Sequence, residues 1–457
     1  MQEFPRFGPR QVSTISRRSF LRRAGIAGLA LGSTGTLGSL AAACGESAQS
    51  PEGADPAPKG TKVSGKLTIG FAVLRGESIA EAWQIIFDRF REKYPDVQLT
   101  ASGIPADNWS EFFDKIAAQI AGGEAPDVVQ VATEGQRLFA SRGLALPIDE
   151  YIERDRDELK PYFENVHANL QEWSNRYSSP DDRTYYLPGE FNTMAIWYNT
   201  QLFQEAGVDE PTDDWTWQEF RTAAEQLTGE GVYGMHVPPE YFGSAMPWLL
   251  TNDASTLNAE WTQATVDTPN AIESANFMRS MVEDGISPAP GGTFDVFQAI
   301  AQGRVAMFGA GRWPLIPMQD ANMVDQLKIV EWPQNEKKGS PVGWNSYPIL
   351  TESQNREAAW AMVKFLASEE ASVLIARAGT VSPPRESVGR SEAFLSNAPE
   401  GSEKFYDALN YATPIPSPDA GSIVEREIVD SFTQILAGNA NTEEALKELD
   451  KTIQSEL

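Results

Sequence analysis

The chain has 457 residues, 41% of them apolar, and a formal net charge of −27 at pH 7. That length exceeds one ordinary core and points to two domains, while the apolar share allows both to bury sizeable interiors. So acidic a surface repels nucleic acid and anionic lipid headgroups, which excludes a nucleic-acid partner.

Cys44 is the one cysteine, so no intrachain disulfide forms and packing must supply the stability. The two histidines, His167 and His236, lie far apart in sequence, which argues against a metal site built on a histidine cluster. No cofactor motif is found. Ser16-Arg17-Arg18-Ser19-Phe20-Leu21-Arg22 resembles the twin-arginine export signal. A mildly apolar stretch from Ala24 to Ala43 follows, too rich in Gly, Ser and Thr for a permanent membrane span. It ends in Leu40-Ala41-Ala42-Ala43-Cys44, which resembles a lipoprotein cleavage site, although the large apolar residue stands four before the cysteine instead of three. Residues 1–43 are therefore expected to be a signal peptide, Cys44 a lipidation site, and 44–64 a flexible tether. The expected location is the outer face of the cytoplasmic membrane, reached by twin-arginine export and held there by lipid.

From residue 65 the apolar pattern alternates between strand and helix. Lys66–Val73 alternates apolar and polar residues like a strand, and Ile79–Tyr94 carries apolar residues at helical spacing up to Pro95. Val97–Thr100 is a second strand and Trp109–Ala121 a second helix, ended by Gly122-Gly123. Asp127–Val131 is a third strand and Gln136–Ser141 a short helix. A β-α-β-α-β order predicts a parallel sheet with helices on its faces and ligands beyond the strand C-termini. Further on, Ala195–Tyr198 and Val305–Phe308 read as strands. Trp217–Leu227, with Thr216 as N-cap, Ala271–Asp284, Val296–Gln302 and Glu357–Ser368 read as helices. No internal repeat, coiled coil or phosphate-cradling glycine loop is found.

These residues resemble the family 1 extracellular solute-binding proteins, the maltose-binding-protein-like group that serves ABC importers, over about residues 65–457. The likeness rests on five segments in order. Phe112–Val131 ends in IAAQIAGGEAPDVVQV, and Gly143–Ile152 reads GLALPIDEYI. Ile196–Trp217 reads IWYNTQLFQEAGVDEPTDDWTW, Phe297–Trp313 reads FQAIAQGRVAMFGAGRW, and Ala358–Ser368 is the helix near the end. The resemblance implies an α/β fold of two lobes, each a mainly parallel sheet flanked by helices, with three hinge crossings near 190–192, 308–311 and 344–348. Lobe 1 is expected at 65–190 plus 309–345 and lobe 2 at 191–308 plus 346–457. The implied function is capture of a mono- or oligosaccharide in the interlobe cleft, by hinge closure, and delivery to a membrane permease. A monomer is expected.

A sugar presents apolar C–H faces and hydroxyl edges, so its site needs flat aromatic surfaces ringed by donors and acceptors. Trp313, just past a crossing strand, is the first stacking candidate. Trp344, beside Asn345 in Gly343-Trp344-Asn345-Ser346-Tyr347, stands at the third crossing. Trp248, in a loop after Tyr241-Phe242-Gly243, resembles the family's cleft aromatic, and Tyr241 is grouped with it. Trp109 opens the second helix, where packing on its own helix is the competing role. Polar candidates are Glu134 after the third strand, Arg75 and Glu77 after the first, Asn192 at the first crossing, and Arg385 after Pro383-Pro384. Surface solvation competes with binding for the charged ones. Asp127 is read as structural, Trp215 and Trp217 as helix-start packing, and Met307 and Phe308 as core.

A polyol, an amino sugar or a glycerophosphodiester is the alternative ligand, and a sensor the alternative recipient. A secreted glycosidase, with two carboxylates about 5–10 Å apart across a sugar, is a further rival without a recognisable motif here. No catalytic residue is assigned.

Overall fold

A computed structural model describes residues 56–74, 77–291 and 294–457, with the side chains of 77–79 excluded. The export motif, Cys44 and Arg75 lie outside the described residues, as does the side chain of Glu77.

The first sheet grows from β1 (Gly65–Leu74), whose Leu67, Ile69 and Phe71 are buried. Helix α1 (Glu77–Lys93) returns the chain to β2 (Val97–Ala106), which runs parallel to β1 in register from Gly65↔Val97 to Leu74↔Ala106. Helix α2 (Trp109–Ala121) starts at Asn108, whose side chain accepts from the Glu111 N–H at 3.0 Å, and buries Phe112, Phe113 and Ile116. It ends at Gly122-Gly123, where Gly123 takes φ +75°, a left-handed turn that suits glycine. The short β3 (Val128–Val129) pairs parallel with β1 on the other side, giving the order β2-β1-β3. Asp127 fixes this edge: its carboxylate accepts from the Thr68 N–H at 2.8 Å and from Ser353 Oγ at 2.7 Å.

After β4 (Val131–Ala132) and helix α3 (Thr133–Ser141) the chain reaches β5 (Pro188–Thr193). The second sheet forms on β10 (Pro341–Ser346), which runs antiparallel to β4 and β5 and parallel to β11 (Thr413–Pro414). The third sheet is built from β6 (Ala195–Asn199), β7 (Tyr233–His236), β8 (Val305–Ala310) and β9 (Leu327–Val330) in the order β7-β8-β6-β9. Its β6 pairs antiparallel with both neighbours, so this sheet is mixed where the first is wholly parallel. Before β7, helix α4 (Trp217–Gln226) opens on a complete capping box between Thr216 and Glu219, two helix-start donors satisfied reciprocally.

Two sets of cores follow the sheets. Leu67, Ile69, Phe87, Phe90 and Tyr162 pack under the first sheet, and Ile196, Phe220, Trp248, Met278 and Met307 under the third. The expected division at 309–345 and 346–457 does not follow these cores. Leu315, Met318, Leu327 and Ile329 pack with Trp197 and Phe308, because β9 pairs with β6. Ile349, Trp360, Phe365 and Ile375 pack with Leu67 and Phe87, because beyond β10 the chain returns to the first sheet, where Ile349 bridges to Val128. Helix α5 (Arg356–Leu366) belongs to that return, and helices α6 (Gly421–Leu436) and α7 (Thr442–Glu456) close the core under the third sheet. Among the described residues no helix is long and apolar enough to cross a membrane.

Candidate functional site

A cavity of about 930 Å³ lies where the ends of the first sheet meet the segments around Phe242, Trp313 and α6. That volume is of the size that holds a small organic ligand. Its first wall comes from the C-terminal ends of parallel strands: Ala72 and Leu74 of β1, Asp107 after β2, and Gln130 and Glu134 after β3. Parallel sheets place their ligands there because successive crossover loops diverge at that edge. Trp109, the first residue of α2, is half-buried, stacks on Phe113 one turn later (5.9 Å between centroids, 23°) and lines this wall.

The floor is the β5–β10 pair. Glu190, Asn192, Gly343 and Asn345 line the cavity. Alternate residues of a strand share a face. Trp344, between Gly343 and Asn345, therefore turns the other way: it is buried at 1% exposure in the core with Phe191, its cross-strand partner. The expectation that Trp344 is a stacking surface is thus corrected by the period of its own strand. Asn345 is the residue of that motif that reaches the cavity. Its Nδ2 donates to Glu190 Oε1 at 2.8 Å, and Gln130 Nε2 donates to the same oxygen at 2.7 Å. Gln130 Oε1 in turn accepts from the Ala72 N–H at 3.0 Å, so a chain of hydrogen bonds runs from β1 to β10. Glu190 is 0% exposed, and burial pushes its carboxyl above the usual range against the hydrogen bonds it accepts from Asn345, Gln130 and Tyr347.

The second wall carries Tyr241, Phe242, Trp313, Ile316, Pro317 and the first turns of α6. Trp313 is half-buried, with its ring 6.3 Å from that of Phe242 at 45°. It packs directly on Gly311: a Cβ there would stand 2.4 Å from the indole and 2.7 Å from Asn192 Oδ1. The Asn192 amide is partly occupied, accepting from the Arg312 N–H at 3.0 Å. Tyr241 borders the cavity, but its hydroxyl bonds Thr256 Oγ1 at 2.8 Å within its own half.

Two other expected contacts do not reach the cavity. Trp248 is fully buried, edge-on to Trp217 (5.5 Å) and Trp332 (5.1 Å) at the centre of an aromatic cluster. The segment read as a loop is a short helix, Met246–Thr251, every residue of which is buried. Arg385 is buried elsewhere. Its Nε and Nη2 donate to the Ala367 carbonyl (3.1 and 2.9 Å) and its Nη1 to that of Pro161 (2.9 Å). It thereby satisfies a carbonyl at the end of α5, where a cation is also favoured by the helix dipole.

Sequence reasoning did not single out Gln130, Glu190, Phe242 or Glu425. Glu190 shares a strand face with Asn192, a signal that was available; Glu425 of α6 comes to the cavity from far along the chain and carries no local signal. Glu134 and Glu425 both line the cavity. Burial pushes Glu134 up to about 7, and burial together with the charges of Glu134 and Glu240 pushes Glu425 up to about 8.

The sequence profile of the bacterial extracellular solute-binding proteins matches residues 76–373. A binding protein of Brucella abortus (strain 2308) is 24% identical over 324 residues, 68% of this chain and 74% of its own length. An arabinooligosaccharide-binding protein of Halalkalibacterium halodurans is 22% identical over 423 residues, 87% of this chain and 91% of its own. An ABC substrate-binding protein of Listeria monocytogenes, solved in complex with cycloalternan, superposes with a TM-score of 0.75 at 23% identity, covering 85% of this chain and 98% of that one.

Proposed function

The chain belongs to the bacterial extracellular solute-binding proteins, and from that premise we propose that it captures a saccharide in the cavity and hands it to an ABC importer. The observation that carries this reading is the lining: the half-buried rings of Trp313, Trp109 and Phe242 alternate with the amides and carboxylates of Gln130, Asn192, Asn345 and Glu134. Flat apolar faces beside hydrogen-bonding groups match the two kinds of surface a sugar ring presents. The names of the Halalkalibacterium and Listeria relatives point the same way.

In this reading Trp313 and Trp109 stack against sugar faces, while Asn192, Asn345 and Glu134 take hydroxyls, with Glu190 added to that set. Arg75 and Glu77 follow β1 in sequence and keep their proposed part in ligand binding. The two sheet-centred halves are the lobes, the β5–β10 pair lies at their junction, and closure of the halves buries the sugar. The protein binds without turnover, works as a monomer, and is exported by the twin-arginine route and anchored through lipidated Cys44.

Calorimetric titration with a panel of mono- and oligosaccharides, followed by analysis of the sugar recovered, tests the reading. It predicts saturable binding of at least one saccharide, returned unchanged. Failure of every saccharide, or recovery of a cleaved product, overturns it.

A further inference from the structure

We propose that Gly311 is a positioning residue of the cavity: the space left by its missing side chain seats both the Trp313 ring and the Asn192 amide where a saccharide meets them. This rests on the saccharide-binding reading and deepens it by a residue that itself touches no ligand. The first observation is that the backbone does not call for glycine here. Gly311 directly follows β8 and does not take a left-handed φ, so its φ is one that residues with side chains adopt. The reason for glycine is space alone.

The second observation is what fills that space. A Cβ on Gly311 would stand 2.4 and 2.8 Å from two carbons of the Trp313 ring and 2.7 Å from Asn192 Oδ1. These are its three nearest atoms, and they belong to two half-buried residues that line the cavity, one in the second wall and one in the floor.

The third observation is that the backbone around Gly311 is held on both sides. Before it, Ala310 pairs with Ala195 across β8 and β6. The Gly311 carbonyl accepts from the buried Trp197 Nε1 at 3.0 Å. After it, the Arg312 N–H donates to Asn192 Oδ1 at 3.0 Å. The Arg312 guanidinium, 2% exposed as a residue, lies 3.7 Å over the Phe394 ring and donates to the Phe394 carbonyl at 2.6 Å.

A methyl group at position 311 is therefore not relieved by a shift of the strand exit. The indole and the amide give way, because both border open space. Moving the ring from 2.4 Å to an ordinary contact near 3.4 Å displaces it by about 1 Å. Binding groups act only within about 0.5 Å of their productive place. The same methyl competes with the Arg312 N–H for the place beside Asn192 Oδ1, and so loosens the bond that orients the amide. The cost falls on binding more than on folding, since side-chain ends move and packed backbone does not.

The test is calorimetric titration of the full chain and of Gly311→Ala at pH 7 with glucose, maltotriose, arabinotriose and cellotriose. Every saccharide that the unmodified chain binds is expected to bind Gly311→Ala at least about tenfold more weakly, with little change in the denaturant midpoint. A glycine needed only for folding gives the opposite split, a lowered midpoint with unchanged affinity in the folded fraction, and that result overturns the proposal. In Gly311→Ala/Trp313→Ala the loss of affinity is expected to be smaller than the product of the two single losses, because the methyl acts in part through a ring already removed. A loss equal to that product overturns the positioning role. Either contrary result leaves the saccharide reading standing, whereas binding of none of the four by the unmodified chain overturns both.

Discussion

Trp313 and Trp248 sit on the same side of the molecule, under or beside the third sheet, and have opposite parts. Trp248 is surrounded by the rings of Trp217, Phe220, Phe277 and Trp332. Trp313 meets Phe242, rests on Gly311 and lines the cavity. The same side chain is thus core in one place and a candidate binding surface in the other. The difference lies in backbone context: a fully buried helix for Trp248, and the exit of a strand over a glycine for Trp313. An aromatic side chain near an expected cleft is not informative until the face of its element is known.

The sharpest way to separate the two regions is truncation. Trp248→Ala should destabilise the fold by about 3–5 kcal/mol, through lost burial and the cavity left behind. Denaturant unfolding should show this, while the folded fraction binds sugar as before; a change in affinity without a change in stability would put Trp248 in the site. Arg385→Met is expected to cost about 2–3 kcal/mol, from the loss of charged donors to buried carbonyls, and again to leave affinity intact. Trp313→Ala should do the reverse, weakening saccharide binding by about 1–2 kcal/mol, or roughly five- to thirtyfold, with a smaller loss of stability. Unchanged affinity in calorimetry would remove Trp313 from the binding surface.

The smallest effect concerns pH. Glu134 and Glu425 are raised to about 7 and about 8 in the folded chain, from an ordinary 4.5. Between those values the folded state binds more protons than the unfolded one. Their contribution is full below about pH 4.5 and is lost as pH rises through 7 to 8. The thermal midpoint of the unliganded protein should therefore fall from pH 6 to pH 8, and Glu134→Gln or Glu425→Gln should flatten that slope. A midpoint that rises over this range, or variants with the unmodified slope, would contradict the assignment.

Much of the fold was legible in sequence. The helix expected at Trp109–Ala121 has those bounds in the structure, and Thr216 caps the helix it was expected to cap. Periodicity and capping are local, so a single sequence carries them. Met307 and Phe308 are core as expected, at 0% and 2% exposure. The cavity was less legible. Trp109, Glu134, Asn192, Tyr241, Trp313 and Asn345 do line it. Trp344 failed because Asn345 and Gly343 take the cavity face of β10, a parity that depends on register with β5. Trp248 failed because tertiary packing folded a loop-like segment into a buried helix. Glu425 was missed because α6 reaches Glu134 across nearly 300 residues of chain, a proximity that no local pattern encodes.

The central claim is that the cavity, with Trp313 in its wall, is where a saccharide binds. A crystal structure of the protein with a bound saccharide tests it most directly. The account predicts a sugar ring stacked on the Trp313 indole, with hydroxyl groups on Glu134, Glu190 or Asn345. A sugar bound elsewhere, or one in the cavity that leaves Trp313 untouched, would contradict it.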